Sequence, residues 1–210
     1  MDITWLGHSC FRIKGSHTAV ITDPFAPEFG ELPGKLSADI VTVSHAHPGH
    51  SYTDGVSNVK KVVAGPGEYE ISGVLILGLA TFHDRAGGTE KGTNTVYLMN
   101  IDGVTICHLG DLGHVLGAAE IEDLGNIDVL MVPVGGVSTM DATLAAEMVR
   151  RLEPKVVIPM HYRFNERDSG LETADRFLGE IGVAEISPQP KLTLTRSKLP
   201  LSTQVYLLES

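Results

Sequence analysis

Cysteine and basic residues are both scarce in this sequence of 210 residues. The two cysteines, Cys10 and Cys107, lie in apolar strand-like runs, so we expect buried free thiols and not a disulfide framework. Lys and Arg total 16 against 26 Asp and Glu, which gives a formal net charge of −10 and a pI near 5.3. This acidic balance disfavours wide binding to nucleic-acid backbones, because that binding requires a basic face.

Long hydrophobic runs are lacking as well. No stretch reaches about 18 uninterrupted apolar residues, the length that a membrane-spanning helix needs. The opening Met1-Asp2-Ile3-Thr4 has no basic segment leading into an apolar one. We therefore expect a soluble, cytoplasmic protein with no membrane partner. The length and the 42% hydrophobic content fit a single domain over residues 1–210, without internal repeats.

The first half of the chain contains a series of strand-like segments. Residues 3–13 and 18–23, separated by Gly15-Ser16-His17, predict a hairpin. Residues 24–33, with three prolines, and residues 84–93, rich in glycine and charge, predict loops of the kind that often border active sites. Further strands are predicted at 39–43, 59–64, 72–82, 94–100 and 103–109.

The second half changes character and predicts a β-α-β unit. Its parts are a strand at 127–133, a helix at 140–152 with Thr139 as the candidate cap, and a strand at 155–159. A further helix is predicted at 168–181, and final strands at 192–194 and 205–208. The fold class is therefore mixed α/β (α+β), and we expect two mainly antiparallel sheets with helices on the outside.

Three histidines lie within six residues in Ser44-His45-Ala46-His47-Pro48-Gly49-His50. An extended strand end places residues two apart on one face, so His45 and His47 can point to the same place. Pro48-Gly49 allows the chain to bend and to present His50 from the start of a following helix. With 9 histidines in 210 residues, this spacing is expected by chance about 0.02 times. Because imidazole is the commonest protein ligand of zinc, the stretch predicts a metal site.

Four other strand ends each deliver a residue type that binds metals. They carry Asp23, His83, Asp111 and His161, and ligand sites in α/β sheets favour the carboxyl ends of strands. Taken singly, each residue is more simply explained by a structural role. Asp23, for example, is explained as a turn-forming residue before a proline. Together with the histidine cluster they indicate one metal centre.

The order of these motifs resembles the metallo-β-lactamase superfamily, and within it the UlaG-like branch of metal-dependent hydrolases. The resemblance covers Ile3 to about Phe164 and implies a four-layer αββα sandwich with a metal centre at one edge. Its motifs, in chain order, are Gly7-His8-Ser9, the strand ending at Asp23, the His-x-His-x-x-His loop, His83, Gly110-Asp111 and Pro159-Met160-His161-Tyr162.

Carried over position by position, the resemblance implies a two-metal centre. Asp23 would contact a ligand histidine through its ring N–H, as metal-ligating histidines usually require. His8 and Asn94 would line the pocket. The ligands themselves would be His45, His47 and His83 for one ion, His50 and His161 for a second, and Asp111 as a bridge between them.

The sequence departs from the family at Gly49. The family's loop is usually His-x-His-x-Asp-His, and that Asp ligates the second metal and orients the attacking water. With glycine there, the second site keeps two imidazoles and a shared carboxylate, and we expect it to bind metal more weakly. Asp84 and Glu68 are candidates to replace the missing carboxylate.

The resemblance implies hydrolysis of an ester, lactone or phosphoester-type small molecule by metal-activated water. We expect one or two Zn²⁺ ions, with Mn²⁺ or Fe as alternatives. Asp111 and His114 are the candidate catalytic residues, although a position at a helix start explains His114 slightly better than proton donation does. His108 precedes Asp111 by three residues and should face away from it.

Two other functions are compared with this one. Gly49 favours a protein of the same fold whose hydrolysis is weakened and which acts in binding or assembly. A nuclease of the same superfamily is disfavoured by the acidic charge. The sequence leaves homo-oligomerisation open.

Overall fold

Apolar and alternating segments build two large β-sheets and one short two-stranded sheet in the computed structural model, which describes residues 1–164 and 170–210. Three α-helices lie in the described ranges: α1 (Ala118–Leu124), α2 (Ala142–Leu152) and α3 (Ala174–Glu180). The strands there are β1 (Asp2–Gly7), β2 (Cys10–Lys14), β3 (Ala19–Thr22), β4 (Leu36–Ser37), β5 (Ile40–Val43), β6 (Val56–Ser57), β7 (Lys61–Ala64), β8 (Gly67–Ile71), β9 (Val74–Phe82), β10 (Thr93–Ile101), β11 (Val104–His108), β12 (Val129–Pro133), β13 (Val156–Met160), β14 (Leu192–Thr193) and β15 (Gln204–Val205).

The first sheet has six strands in the order β14-β1-β2-β3-β5-β7. The hairpin predicted around Gly15-Ser16-His17 is confirmed as β2-β3, but the single strand predicted at 3–13 is wrong. That run contains two strands, because Gly7 (φ 106°) and His8 (φ 49°) both adopt positive φ and reverse the chain. The turn places His8 at the end of the sheet.

The second sheet has seven strands in the order β15-β13-β12-β11-β10-β9-β8. The predicted β-α-β unit is confirmed as β12-α2-β13, with the two strands parallel. Both sheets are mixed, so the expectation of mainly antiparallel sheets holds only in part. Strands β3-β5-β7 and β11-β12-β13-β15 are parallel, and the other neighbouring strands of the two sheets are antiparallel. The physical reason is burial on both faces: every residue of β5, β12 and β13 is buried, which is typical of parallel strands.

The two sheets share one apolar core, and both are covered on their outer sides. Core residues include Phe11 and Ile13 of the first sheet and Val96 and Ile106 of the second. Helix α2 packs on β12 and against α3, so the helices cover the seven-stranded sheet. A smaller cluster around Phe25, with Leu36 and Val56, packs on the six-stranded sheet. The mixed α/β sandwich of the αββα class is thus confirmed.

Several predicted boundaries move. Helix α2 begins after Asp141, whose Oδ1 accepts the N–H of Leu144 at 3.0 Å, so Asp141 and not Thr139 is the cap. The helix predicted at 168–181 is described as α3, and Asp168 lies outside the described residues. The strand predicted at 72–82 starts at β9, because Ser72-Gly73 forms a turn after β8. Helix α1, strand β8 and the short pair β4-β6 were not predicted.

The described helices are all short. The longest, α2, has 11 residues and carries charged side chains in its last turn. Within residues 1–164 and 170–210, no helix combines the length and the apolar character that crossing a bilayer requires.

Two glycines allow loops to approach the ends of neighbouring strands closely. A Cβ on Gly113 would overlap the carbonyl oxygen of His83, and a Cβ on Gly135 would overlap the carbonyl oxygen of His161. Since glycine alone permits backbone to approach backbone so closely, the positions of both histidines depend on these contacts.

We expect Gly135→Ala to lower the free energy of unfolding by about 1–3 kcal/mol, because the added methyl group must push the end of β13 aside. Urea denaturation would measure the change. The matched control is Gly179→Ala in α3, where a Cβ meets nothing within 4 Å, so stability should stay the same or rise by about 1 kcal/mol. Unchanged stability of Gly135→Ala would show that the loop is free to move away.

Candidate metal centre

The predicted metal-binding residues follow the carboxyl ends of strands from both sheets. Asp23 comes directly after β3, and the histidine-rich loop follows β5 in the first sheet. In the second sheet His83 follows β9, Asp111 follows β11 closely, and His161 follows β13. The sandwich therefore delivers residues from five strands to one edge.

The carboxylate of Asp111 lies at the middle of this group. Its Oδ2 is 3.2 Å from Nε2 of His50, 3.3 Å from Nε2 of His83 and 3.4 Å from Nε2 of His161. Burial alone would raise the pKa of Asp111, but the neighbouring His161 and His50 lower the pKa well below its ordinary value. Asp111 is therefore a buried anion surrounded by imidazoles.

The structure brings together all six of the ligands implied by the resemblance. Their candidate ligand atoms form three overlapping clusters, and within each cluster these atoms lie within 4.8 Å of one another. The clusters are His45, His47 and His50; His45, His83 and Asp111; and His50, Asp111 and His161.

The spacing and chemistry of these atoms fit a metal ion of the zinc type. Ligands at about 2.0–2.1 Å from a tetrahedral ion are about 3.3 Å apart, close to the separations around Asp111. Nε2 of His45 is buried and has no hydrogen-bond partner among the described residues, while its Nδ1 is 3.0 Å from Ser44 Oγ. A buried nitrogen beside an anion and other imidazoles needs a partner, and a cation would supply one.

The loop that carries the three histidines is a turn and not the start of a helix as predicted. The N–H of His50 donates to the carbonyl oxygen of His47 at 2.8 Å and closes the turn. His47 is exposed at the rim of the site, whereas His50 is 3% exposed. The turn thus places the two histidines at different depths in the site.

Asp23 contacts the Nδ1 side of the His50 ring, while Nε2 of that ring faces Asp111. Oδ2 of Asp23 lies 2.9 Å from Nδ1 of His50 and accepts the hydroxyl of Ser44 at 2.5 Å, while Oδ1 accepts the N–H of Ser44 at 2.8 Å. Burial alone would lower the pKa of His50, but the adjacent Asp111 and Asp23 raise it to about 10. His50 therefore lies between two carboxylates, and a cation bound at Nε2 would take the place of a proton there.

Asn94 lies behind the centre. It is 1% exposed, and its Oδ1 accepts the N–H of Asp111 at 3.0 Å. Its Nδ2 donates to Oγ1 of Thr81 at 2.9 Å and to the carbonyl oxygen of Leu109 at 3.0 Å. Asn94 therefore fixes the backbone that carries Asp111, and the cavity that it lines is a neighbouring one.

His8 lies on the wall of the cavity that contains the centre. Its Nε2 is 2.9 Å from the carbonyl oxygen of Phe29, and its ring packs edge-on against the rings of Phe25 and Phe29. The cavity has a volume of about 310 Å³. Its lining includes His8, Phe29, His47, Gly49, His50, His83, Asp111, Ser138 and His161.

The structure does not bring His114 into this cavity. Its Nε2 accepts the N–H of Phe82 at 3.3 Å, and its Nδ1 is 3.1 Å from the carbonyl oxygen of Val115. His108 also faces away, as expected: its Nε2 lies 2.8 Å from the carbonyl oxygen of Ser9. Both imidazoles are engaged by backbone groups, so both support the strand ends.

No described residue replaces the missing carboxylate next to Gly49. Asp84 is fully engaged in its own loop, where it accepts backbone N–H groups from four residues. Glu68 lines a separate cavity on β8. Among residues 1–164 and 170–210, Asp111 is the one carboxylate within the three clusters.

Sequence reasoning missed Ser44, Lys91 and Ser138. Ser44 holds both Asp23 and His45, and its position directly before the first histidine of the motif is a usable signal. Lys91 and Ser138 line a cavity beside the centre, although they lie in loops distant in sequence. No pattern in the sequence joins two such loops.

Comparison with known proteins identifies similar chains. The family model described as "Beta-lactamase superfamily domain" matches residues 2–161. A UPF0173 metal-dependent hydrolase from Methanoculleus marisnigri is 36% identical over 185 residues, which cover 77% of this chain and 81% of the relative.

Solved structures show the same likeness. A Thermotoga maritima protein whose crystal structure is assigned to the metallo-β-lactamase superfamily is 37% identical, with a TM-score of 0.79, and the match covers 99% of this chain and 97% of that one. An isothiocyanate hydrolase from Delia radicum gut bacteria shares the fold with a TM-score of 0.69 at 13% identity, over 93% of this chain and 100% of that one. At that identity the likeness concerns the fold alone.

We expect His47→Ala and Asp111→Ala each to lower metal affinity by more than about 100-fold and so to reduce the amount of bound metal. The reason is that mutating a residue that only hydrogen-bonds to a metal ligand already lowers metal affinity by about 10–100-fold. Elemental analysis of protein purified without added metal would measure the content. His17→Ala is the control, since His17 is exposed in the turn between β2 and β3. Equal metal content in all three variants would remove the ligand assignment.

Proposed function

This chain belongs to the metallo-β-lactamase superfamily, and on that premise we propose that it is a metal-dependent hydrolase of an ester, lactone or phosphoester-type small molecule. The observation that carries the proposal is the position of Asp111, with three imidazole nitrogens within 3.4 Å of one carboxylate oxygen. A relative at 36% identity is named a metal-dependent hydrolase, which supports the same reaction class.

The proposed ligands divide into two sets that share Asp111. When bound, ions at such sites activate water as a nucleophile at neutral pH and polarise the oxygen of the group attacked. Zinc is the proposed ion because imidazole-rich tetrahedral sites suit it, with Mn²⁺ or Fe as alternatives. The first set is His45, His47 and His83, and the second is His50 and His161.

The residues around the ligands keep this arrangement in place. Asp23 accepts the Nδ1 proton of His50, which leaves Nε2 directed at Asp111. Asn94 fixes the backbone N–H of Asp111. His8 and Phe29, whose rings pack edge-on, line one wall of the cavity. His114 has no proposed part in proton transfer, since its nitrogens face backbone groups.

Two finer assignments stay predictions. One is the UlaG-like branch within the superfamily. The other is a single domain over residues 1–210, which agrees with a core that runs from Ile3 to Leu208.

A second candidate function is favoured by Gly49. Because this position lacks the family's carboxylate, the second metal set has fewer anionic ligands, and the water loses the group that would orient it. A protein of the same fold with weakened hydrolysis, acting in binding or assembly, would need only the first metal. Metal stoichiometry and a hydrolysis screen separate the two candidates.

We expect one tightly held metal and a second that binds only at high metal concentration, with low activity on generic phosphodiesters and lactones. Gly49→Asp should raise occupancy of the second site, and hydrolysis with it. A Cβ at Gly49 would lie 3.3 Å from Nδ1 of His47, which is tighter than an ordinary contact, so the ring of His47 must shift by a few tenths of an ångström. The ring of Phe29, at 3.6 Å, would be in ordinary contact. Zinc titration with elemental analysis measures the occupancy.

The control for this variant is Gly34→Asp, which adds the same charge where a Cβ meets nothing within 4 Å. If the unmodified protein binds two equivalents with equal affinity, and Gly49→Asp changes neither occupancy nor rate, another residue supplies the missing ligand.

A further inference from the structure

A second cavity adjoins the one that holds the proposed metal centre. It has a volume of about 490 Å³ and is lined by His45, His47 and His83 on the side of the centre. Lys91 and Ser138 belong to its lining as well. Since His47, His83 and Ser138 line both cavities, a molecule that reaches the proposed metal ligands can extend into this second space.

Lys91 brings a positively charged side chain to this space. Among the described residues that line the two cavities, it is the one lysine or arginine. Its Nζ donates to the carbonyl oxygen of Val137 at 2.9 Å. An ammonium group has three donors, so this contact anchors the charge and leaves two donors for another acceptor.

The loop that carries Lys91 is folded around the carboxylate of Asp84. Oδ1 accepts the N–H groups of Ala86 and Gly88, each at 2.8 Å. Oδ2 accepts those of Glu90 at 3.1 Å and Lys91 at 2.7 Å. These four backbone hydrogen bonds close the loop around the carboxylate and fix the backbone position of Lys91.

The partner of Lys91 is an unusual residue. Val137 has a φ of 60° and is 75% exposed. A β-branched residue rarely adopts this left-handed conformation, and backbone strain of this kind clusters at ligand sites. Its side chain is not held by burial, so the conformation of Val137 must be stabilised by other contacts, of which the Lys91 hydrogen bond is one.

We infer that Lys91 and Ser138 form a subsite for an oxyanion, either a phosphate or a carboxylate, on the substrate of this enzyme. That the anion belongs to a substrate rests on the proposed function. The anion site itself is argued from the geometry of the loop. A chain of net charge −10 repels anions at long range. Lys91 is held beside the centre and keeps two N–H donors, so it supplies local charge attraction and hydrogen bonds to an anion.

The test uses the purified protein in two forms, zinc-loaded and chelator-treated. Inorganic phosphate and malonate are titrated separately into each form, and binding is followed by ligand-observed NMR. We expect Lys91→Gln to weaken binding of at least one anion by about fivefold or more, in both forms of the protein. Arg85→Gln is the matched control, since it removes the same charge from the same loop, where Arg85 pairs with Asp141 at 3.5 Å and lines neither cavity.

If Lys91→Gln loses phosphate binding alone, the subsite is assigned to a phosphoryl group. If it loses malonate binding alone, the subsite is assigned to a carboxylate. The inference is overturned if the wild-type protein binds neither anion, if Lys91→Gln binds both as well as the wild type, or if Arg85→Gln weakens binding equally. Metal content is measured on the same samples. A protein that takes up no metal refutes the hydrolase proposal, while the chelator-treated samples still decide the role of Lys91.

Discussion

The charge of one buried carboxylate, that of Asp111, is the constraint on which the centre depends. A carboxylate that is 3% exposed is costly unless partners compensate it, and here the partners are imidazoles from three separate parts of the chain. The surrounding structure serves this arrangement: Asn94 fixes the backbone of Asp111, and Asp23 fixes the ring of His50. The fold therefore brings strand ends from two sheets together around the carboxylate of Asp111.

The identity of the candidate ligands could be predicted from the sequence because strand ends and residue types are local properties. His45, His83 and His161 each follow an apolar run within a few residues. Strand direction was not predictable in the same way, since burial on both faces of β5, β12 and β13 arises only after the sheets pack. The turn at His8 was missed for a related reason: the apolar pattern continues through it, and only the backbone conformation ends the strand. The surroundings of Lys91 depend on two distant loops that meet only in the folded chain.

Glycine in place of aspartate at position 49 changes the electrostatics of the centre as well as its ligand count. With one negative ligand fewer, a fully metallated centre would carry one more unit of positive charge than a centre built on the His-x-His-x-Asp-His motif. Such a charge favours negative ligands at the ions and disfavours a second ion, because two cations share a single bridging carboxylate. Under the proposed function, glycine at this position would weaken the second metal site and would make the neighbourhood of Lys91 more attractive to anions.

The loop that folds around Asp84 affects the conformational entropy that is lost when a ligand binds. Four backbone donors are satisfied within the loop before any ligand arrives, and Lys91 is already in contact with Val137. A ligand that meets such a preorganised rim does not have to order it, so little conformational entropy is lost on association. If Lys91 binds an anion as proposed, no closure of this side of the cavity would be needed, and selectivity there would come from an arrangement of charge that is already formed.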